Sequence, residues 1–302
     1  MLIQKIKSWL WNQMFQYAFI KALSLRNKVD FKLDISSYKA WSRNFELEIF
    51  NIGKKYVSNK EIPRYERYIP RINYLNYINE AYLTPFCWKL NKSHHIERDI
   101  FECDNKSVVD DKFLSYTDWY IEWYFQSEKY FLDFKDDIKK EFRVNWKLSE
   151  KSRCIIDKME KLNSVSIHIR RWDYLNKSLI NTFWILSKEY YKDWIEVIKN
   201  KTKKPLYIFF FSDDIQWVKD NFKYDNSYFI DWNAWKDSRQ DMILMSKCKH
   251  SIIANSSFSW WWARLNENKN KIVIAPNRWF KSINPLDIIP SDWNKIDNTF
   301  IR

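Results

Sequence analysis

The first forty residues change rhythm twice. "LIQKI" is a short apolar run, and "NQMFQYAFIKALSLRN" then carries Phe15, Ala18, Phe19, Ala22 and Leu23 at helical spacing. "VDFKLD" alternates, with Val29, Phe31 and Leu33 on one face, as a strand does. Strand, helix, strand is the opening of a parallel sheet with a crossover helix. Met14, Phe15 and Phe19 read as core.

From Tyr38 to Asp118 the chain is aromatic, charged and poorly periodic, and "RYERYIPRINYLNYINEAYLTPF" fits either a helix or a packed loop. His94 and His95 fall there in a stretch that reads as unstructured. "QSEKYFLDFKDDIKKEFRV" predicts a helix leading to a domain boundary near 145–152. Beyond it the alternation is regular. A helix over Ser152 to Lys161 precedes the strand "SVSIHIR", and a helix over Lys188 to Lys199 precedes "LYIFFFS". "DDIQWVKDNF", "DSRQDMILMSKC" and "SSFSWWWARLNEN" then read as helices, interleaved with strands "SYFI", "HSIIAN" and "KIVIA". Strands separated by helices of this length predict a doubly wound sheet. The expected organisation is α/β, with an N-terminal domain over 1–148 and a C-terminal domain over 149–302.

Composition narrows the setting. No run approaches the ~18 uninterrupted apolar residues of a membrane span, and the N-terminus lacks the pattern of a signal peptide. The expected location is cytoplasmic. A net charge of +13 favours anionic partners, such as nucleic acid, anionic lipid or a phosphorylated substrate. The basic residues are scattered, which suits a solvated surface, with peripheral contact at the inner face of an anionic membrane as a further expectation. Cys87, Cys103, Cys154 and Cys248 form no C-x-x-C pair, so reduced thiols are expected and no zinc site. A P-loop and the dinucleotide-binding G-x-G-x-x-G are both absent from the sequence.

Chemistry concentrates in three places. In "SVSIHIRRWDY" period-two geometry puts Val165, Ile167 and Ile169 on one face and Ser166, His168 and Arg170 on the other. A strand between helices should be apolar on both faces. The polar face ends at the carboxyl end of a parallel strand, where open α/β sheets bind ligands. Arg170 and Arg171 suit a phosphate through paired charge-assisted hydrogen bonds; alternatively they bridge to Asp173. In "ANSSFSWW", Asn255, Ser256 and Ser257 lie between a strand and a helix, where they either cap the helix or complete an anion site at its N-terminus. Asp241 is an ordinary first-turn acid or a ligand contact. In "WLWNQMFQ", Asn12 and Gln13 either cap a helix or hydrogen-bond a ligand. "SDD" (Ser212 to Asp214) resembles a metal-binding acidic pair and fits a helix cap better.

Taken together, "NQMFQYAF", "HIRRWDY", "YFQSEKYF", "FSDD" and "DMILMSKCKHSIIANSSFSWWWARLN" resemble the bacterial α-1,2-fucosyltransferases of glycosyltransferase family 11. The resemblance runs from Met1 to the C-terminal region and is weakest between Tyr38 and Asp118. It implies a GT-B-like fold with two Rossmann-type halves, the first on the acceptor side and the second binding GDP-fucose. The implied reaction transfers L-fucose with inversion to the 2-hydroxyl of a galactose in a surface-glycan precursor, with no essential metal or other cofactor. The resemblance places Arg170 on the β-phosphate. It sets His168, Arg171, Asp241, Asn255, Ser256 and Ser257 around the GDP, and puts Asn12, Gln13 and Gln16 at an interdomain cleft. Asp173 is a candidate base or an orienter of the arginines. The alternatives are a glycosyltransferase with another nucleotide-sugar donor, or a basic nucleic-acid-binding protein without catalysis, for which no recognisable binding motif is present.

One total is abnormal. The chain has 18 tryptophans and a single glycine, Gly53, where an average composition gives about 20 glycines. Relative to the family pattern, Trp9, Trp11, Trp123, Trp172 and Trp262 stand where glycine is usual, while Trp217, Trp260, Trp261 and Trp279 match expected tryptophans. Glycine allows positive φ and close approach of backbone to ligand; an indole blocks the approach and favours burial. The abundance of Lys, Asn, Ile, Phe and Tyr suggests AT-rich codons. We therefore expect that UGA encodes glycine in the cells this gene comes from and is rendered here as tryptophan, the alternative being true divergence.

Overall fold

The computed structural model describes residues 1–39, 44–53, 55–58, 60–61, 94–96, 109, 111–144, 148–177, 179–233 and 238–296. The stretch "RYERYIPRINYLNYINEAYLTPF", Cys87 and Cys103 lie outside them. The chain divides into two compact units, Met1–Glu102 with Ser107–Asn145, and Cys103–Lys106 with Trp146–Arg302. Each has its own parallel sheet. Among the described residues no helix is long and apolar enough to cross a membrane.

In the first unit β1 (Leu2–Lys5), β2 (Phe31–Asp34), β3 (His94–Ile96) and β4 (Tyr120–Glu122) lie in the order β2-β1-β4-β3, all parallel. Helix α1 (Leu10–Asn27) connects β1 to β2 and buries Met14, Phe15, Phe19, Ala22 and Leu23. The expected strand–helix–strand opening and its core are as the periodicity predicts. Two sequence expectations are corrected. His94 and His95 belong to a strand, which depends on pairing with distant β4 and leaves no local signal. The helix expected over "QSEKYFLDFKDDIKKEFRV" is broken into 3₁₀ turns at Glu128–Tyr130 and Leu132–Phe134 before α2 (Lys135–Glu141). Adjacent Tyr130 and Phe131 are both buried in this broken stretch.

The second unit carries α3 (Glu150–Lys161), β5 (Ser164–Ile169), α4 (Trp172–Leu175), α5 (Lys188–Thr202), β6 (Tyr207–Ser212) and α6 (Ile215–Asn221). After these come β7 (Ser227–Phe229), α7 (Ser238–Lys247), β8 (His250–Ile252), α8 (Ser257–Leu265), β9 (Val273–Pro276) and β10 (Asn294–Ile296). The sheet order is β10-β9-β8-β5-β6-β7, with every pairing parallel. Numbered within the unit and read from β7, this is 3-2-1-4-5-6, the doubly wound order whose direction reverses between its first and fourth strands. Val165, Ile167, Ile169, Tyr191, Ile195, Ile208 and Phe210 form a core on one face.

Few glycines are available for turns. Helices α1 and α5 end on left-handed lysines, Lys28 (φ 54°) and Lys203 (φ 53°), positions where glycine avoids the Cβ penalty. Gly53 itself has no left-handed φ and open space where a Cβ would stand.

Candidate active site

The strand order reverses between β5 and β8, and open α/β sheets bind ligands beyond the carboxyl ends of such a pair. Ile167 is paired with Ile252, so Arg170 and Asn255 each follow three residues beyond that pair on either side. On the other flank Ile169 is paired with Ser212, which sets Arg170 beside Asp213. Parallel register thus converts three separate stretches of sequence into one site.

All six residues of β5 are buried, including the polar face. Ser166 Oγ donates to Ser251 Oγ at 3.2 Å on β8. His168 lies against Phe258, with ring centroids 5.2 Å apart, and its Nδ1 is buried without a hydrogen-bond partner. Burial, with the Arg170 charge adding to it, lowers His168 to about 3, so the ring is neutral at ordinary pH.

The two arginines diverge. Arg170 pairs through Nη2 with Asp173 and through Nε with Asp213 at 3.4 Å. Arg171 turns to α6, where its Nε lies 3.3 Å from Asp214 and its guanidinium 4.5 Å from the Trp217 ring centroid. The expected bridge to Asp173 is therefore present for Arg170. Asp214 is the helix cap that the sequence suggests, accepting from Trp217 N. Asp213 is not a cap: it accepts the backbone N–H of Arg171 at 2.9 Å and of Asp173 at 3.2 Å. In the sequence Asp213 reads only as part of an acidic pair or a helix cap. The available signal was its place one residue beyond a strand that follows β5 in sequence, since such strands are commonly neighbours.

Towards β8, Tyr174 donates its hydroxyl to Asn255 O at 2.7 Å and stacks on Phe183 at 4.6 Å. Asn255 Nδ2 donates to the carbonyls of Trp184 and Trp279, whereas Asn255 Oδ1 is buried without a partner. Ser256 occupies the N-cap position of α8, yet its side chain makes no cap hydrogen bond. The plain capping expected of Ser256 is absent, which leaves the helix N-terminus positive and without that oxygen. Asp241, in the first turn of α7, accepts from Asn233 Nδ2 at 2.7 Å; burial raises it to about 8 against that bond. Its side chain is linked to Asn233 and not to the arginines.

In the first unit the predicted ligand groups are tied into the fold. Gln13 Nε2 donates to the carbonyls of Ser8 and Asn44, and Gln13 Oε1 accepts from Glu46 N. Asn12 bonds Ser8 Oγ and Gln126. Gln16 Oε1 accepts from Lys7 N, while its buried Nε2 has no partner. Neither Asn12 nor Gln13 caps α1, whose N-cap position is Trp9.

The tryptophans only partly follow expectation. None of Trp9, Trp11, Trp123, Trp172 and Trp262 has a left-handed φ; that conformation falls on neighbouring Ser8 (φ 73°) and on Phe125 (φ 53°). Burial is not general either, since Trp9 is 41% and Trp172 67% exposed. Trp9 and Trp11 stack on each other at 5.3 Å. Trp260, an expected tryptophan, donates its indole N–H to Ile288 O at 2.7 Å. Trp262 is equally buried, but its N–H has no partner, a state shared by Trp293.

A model of the glycosyl transferase family 11 matches residues 6–297. An Escherichia coli protein, "Alpha-1,2-colitosyltransferase", is 34% identical over 308 residues, covering 98% of this chain and 99% of its own length. The Escherichia coli "O-antigen biosynthesis glycosyltransferase WbnK" is 31% identical, with 94% of this chain and 96% of that protein covered. Among solved structures, Arabidopsis thaliana FUT1 in complex with GDP superposes with a TM-score of 0.51 at 10% identity, over 96% of this chain and 75% of that one. That likeness concerns the fold, which is GT-B-like. With a family match over nearly its whole length and two relatives above 30% identity, the chain belongs to glycosyltransferase family 11.

Proposed function

We propose that this glycosyltransferase moves L-fucose from GDP-fucose, with inversion, to the 2-hydroxyl of a galactose in an O-antigen or related surface glycan. The observation that carries the reading is the register-matched pair Arg170 and Asn255 at the carboxyl ends of β5 and β8. As the fucosyl–oxygen bond breaks, negative charge collects on GDP. A fixed guanidinium and the N-terminus of α8 offer positive charge there, and removing one such donor commonly costs about 10² to 10³ in rate. Neutral His168 lines the same strand end without adding charge. Asn255, Ser256 and Ser257 supply polar groups at the helix start. Asp173 pairs with the Nη2 end of the Arg170 guanidinium. GDP leaves readily, so the reaction needs no acid like that of the two-carboxylate glycosidases. The second half of the chain is thereby the donor-binding domain and the first the acceptor side.

A second donor has a specific observation behind it: the 34% identical relative is named a colitosyltransferase. GDP-colitose differs from GDP-fucose by the hydroxyl at sugar carbon 3. A donor screen with GDP-fucose, GDP-colitose, GDP-mannose and UDP-sugars, followed by linkage analysis of the product, tests both readings. Exclusive use of a UDP-sugar would overturn them together.

A further inference from the structure

Arg170 sits between two carboxylates that differ in kind. Asp213 is nearly enclosed, its side chain 14% exposed; it accepts hydrogen bonds from Arg171 N and Asp173 N, and its carboxylate forms an ion pair with Arg170 Nε at 3.4 Å. Asp173 is 50% exposed and touches only the Nη2 tip of the same guanidinium. A planar guanidinium held along its Nε edge has a fixed direction for its remaining donors. We propose that Asp213 is the positioning residue for Arg170, and that Asp173 is a stand-in anion which the donor's diphosphate displaces. This rests on the reading of Arg170 as a phosphate ligand. It adds that the arginine is aimed before the donor arrives, by a carboxylate from the neighbouring strand. It also holds that the guanidinium's outer edge is occupied until phosphate takes it.

The chemistry is an exchange of ionic partners with no bond made or broken. Asp213 keeps its two backbone N–H bonds throughout, so the loop is not reorganised when Asp173 departs. Asp173 has the solvent exposure to swing away, and an exposed ion pair is weak enough to yield to a dianion.

A double-mutant cycle tests the positioning role. Asp213→Asn removes the charge that aims Arg170 and, with one acceptor oxygen in place of two, keeps only one of the two backbone hydrogen bonds. We expect it to lower kcat by up to about 10²-fold, with a smaller change in KM. In an Arg170→Ala background the same substitution should change kcat by no more than about twofold, because the group it aims is gone. Losses that multiply in the double variant would overturn the proposal, since they would mean that Asp213 acts independently of Arg170. If Arg170→Ala is itself without effect, the underlying phosphate reading fails instead. Should Asp213→Asn fold poorly, Asp173→Asn gives a separate reading through GDP binding by calorimetry. Removal of the competing carboxylate should tighten GDP about threefold, and unchanged or weaker binding contradicts the displacement.

Discussion

Two strand-to-helix turns, after β1 and after β5, look alike in sequence and differ in what their polar groups do. In the first, Gln13 places both ends of its amide on backbone atoms of Ser8, Asn44 and Glu46, and Asn12 links Ser8 to Gln126. These side chains stitch a loop to a helix. In the second, Arg170 is held in a network of carboxylates, and His168 and Asn255 retain buried atoms without partners. A buried polar atom left unpaired costs about 1–3 kcal/mol; the first turn carries one as well, Gln16 Nε2, so what sets the second turn apart is a guanidinium among carboxylates at a topological switch point. The difference teaches that a motif's polar residues are informative only once their internal partners are known.

The sharpest way to break the comparison is within the second turn. Arg170→Ala should reduce fucosyl transfer by about 10² to 10³, whereas Arg171→Ala should act mainly on thermal stability, because Arg171 is engaged by Asp214 and Trp217. Equal losses of kcat in the two variants would erase the distinction. A smaller effect joins both turns. Replacing Trp9, Trp11 and Trp172 with glycine together should raise transfer roughly tenfold, about 1.4 kcal/mol of barrier, as three indoles leave the starts of α1 and α4. Peptide mass spectrometry on protein from the original cells should find glycine at position 172, and tryptophan there would refute the codon reading. In the first turn, Gln13→Ala should cost about 1–3 kcal/mol of folding free energy in denaturant titrations; a neutral result would mean that its amide is not holding the loop.

Two buried groups of the second unit make stability depend on pH. Asp241 is raised from 3.8 to about 8 by burial, so the folded state holds its proton where the unfolded chain has lost it. The stability this provides is complete below about 4 and is lost as pH rises towards 8. Asp241→Asn should therefore gain on the wild type as pH rises through that range. His168 works in the opposite sense. It is lowered from 6.5 to about 3, so its contribution is present above 6.5 and lost as pH falls towards 3.

Much of the fold was legible because it is written locally. The periodicity of α1 with its flanking strands and the alternation of β5 to β9 with their helices predict half of the first sheet and all of the second but β10, and Phe15 and Phe19 are buried where the helical face puts them. What escaped depends on partners far away in sequence. His94 and His95 become strand only beside β4, and the helix expected after Ser127 is regular only from Lys135 to Glu141. Of the site, Arg170 and Asn255 stood out as polar residues ending apolar strands. Asp213 did not, since its role exists only when β6 lies in register with β5. The tryptophans show the limit of a steric argument made without coordinates: the left-handed residue in the first turn is Ser8 and not Trp9.

The most direct test of the central claim is a structure of the protein with GDP bound. The account predicts the β-phosphate within hydrogen-bond distance of the Arg170 guanidinium, close to the first-turn amides of α8, with Asp173 turned away and Asp213 still holding Arg170 Nε. GDP bound with Arg170 still paired to Asp173 and no phosphate near it would contradict the account.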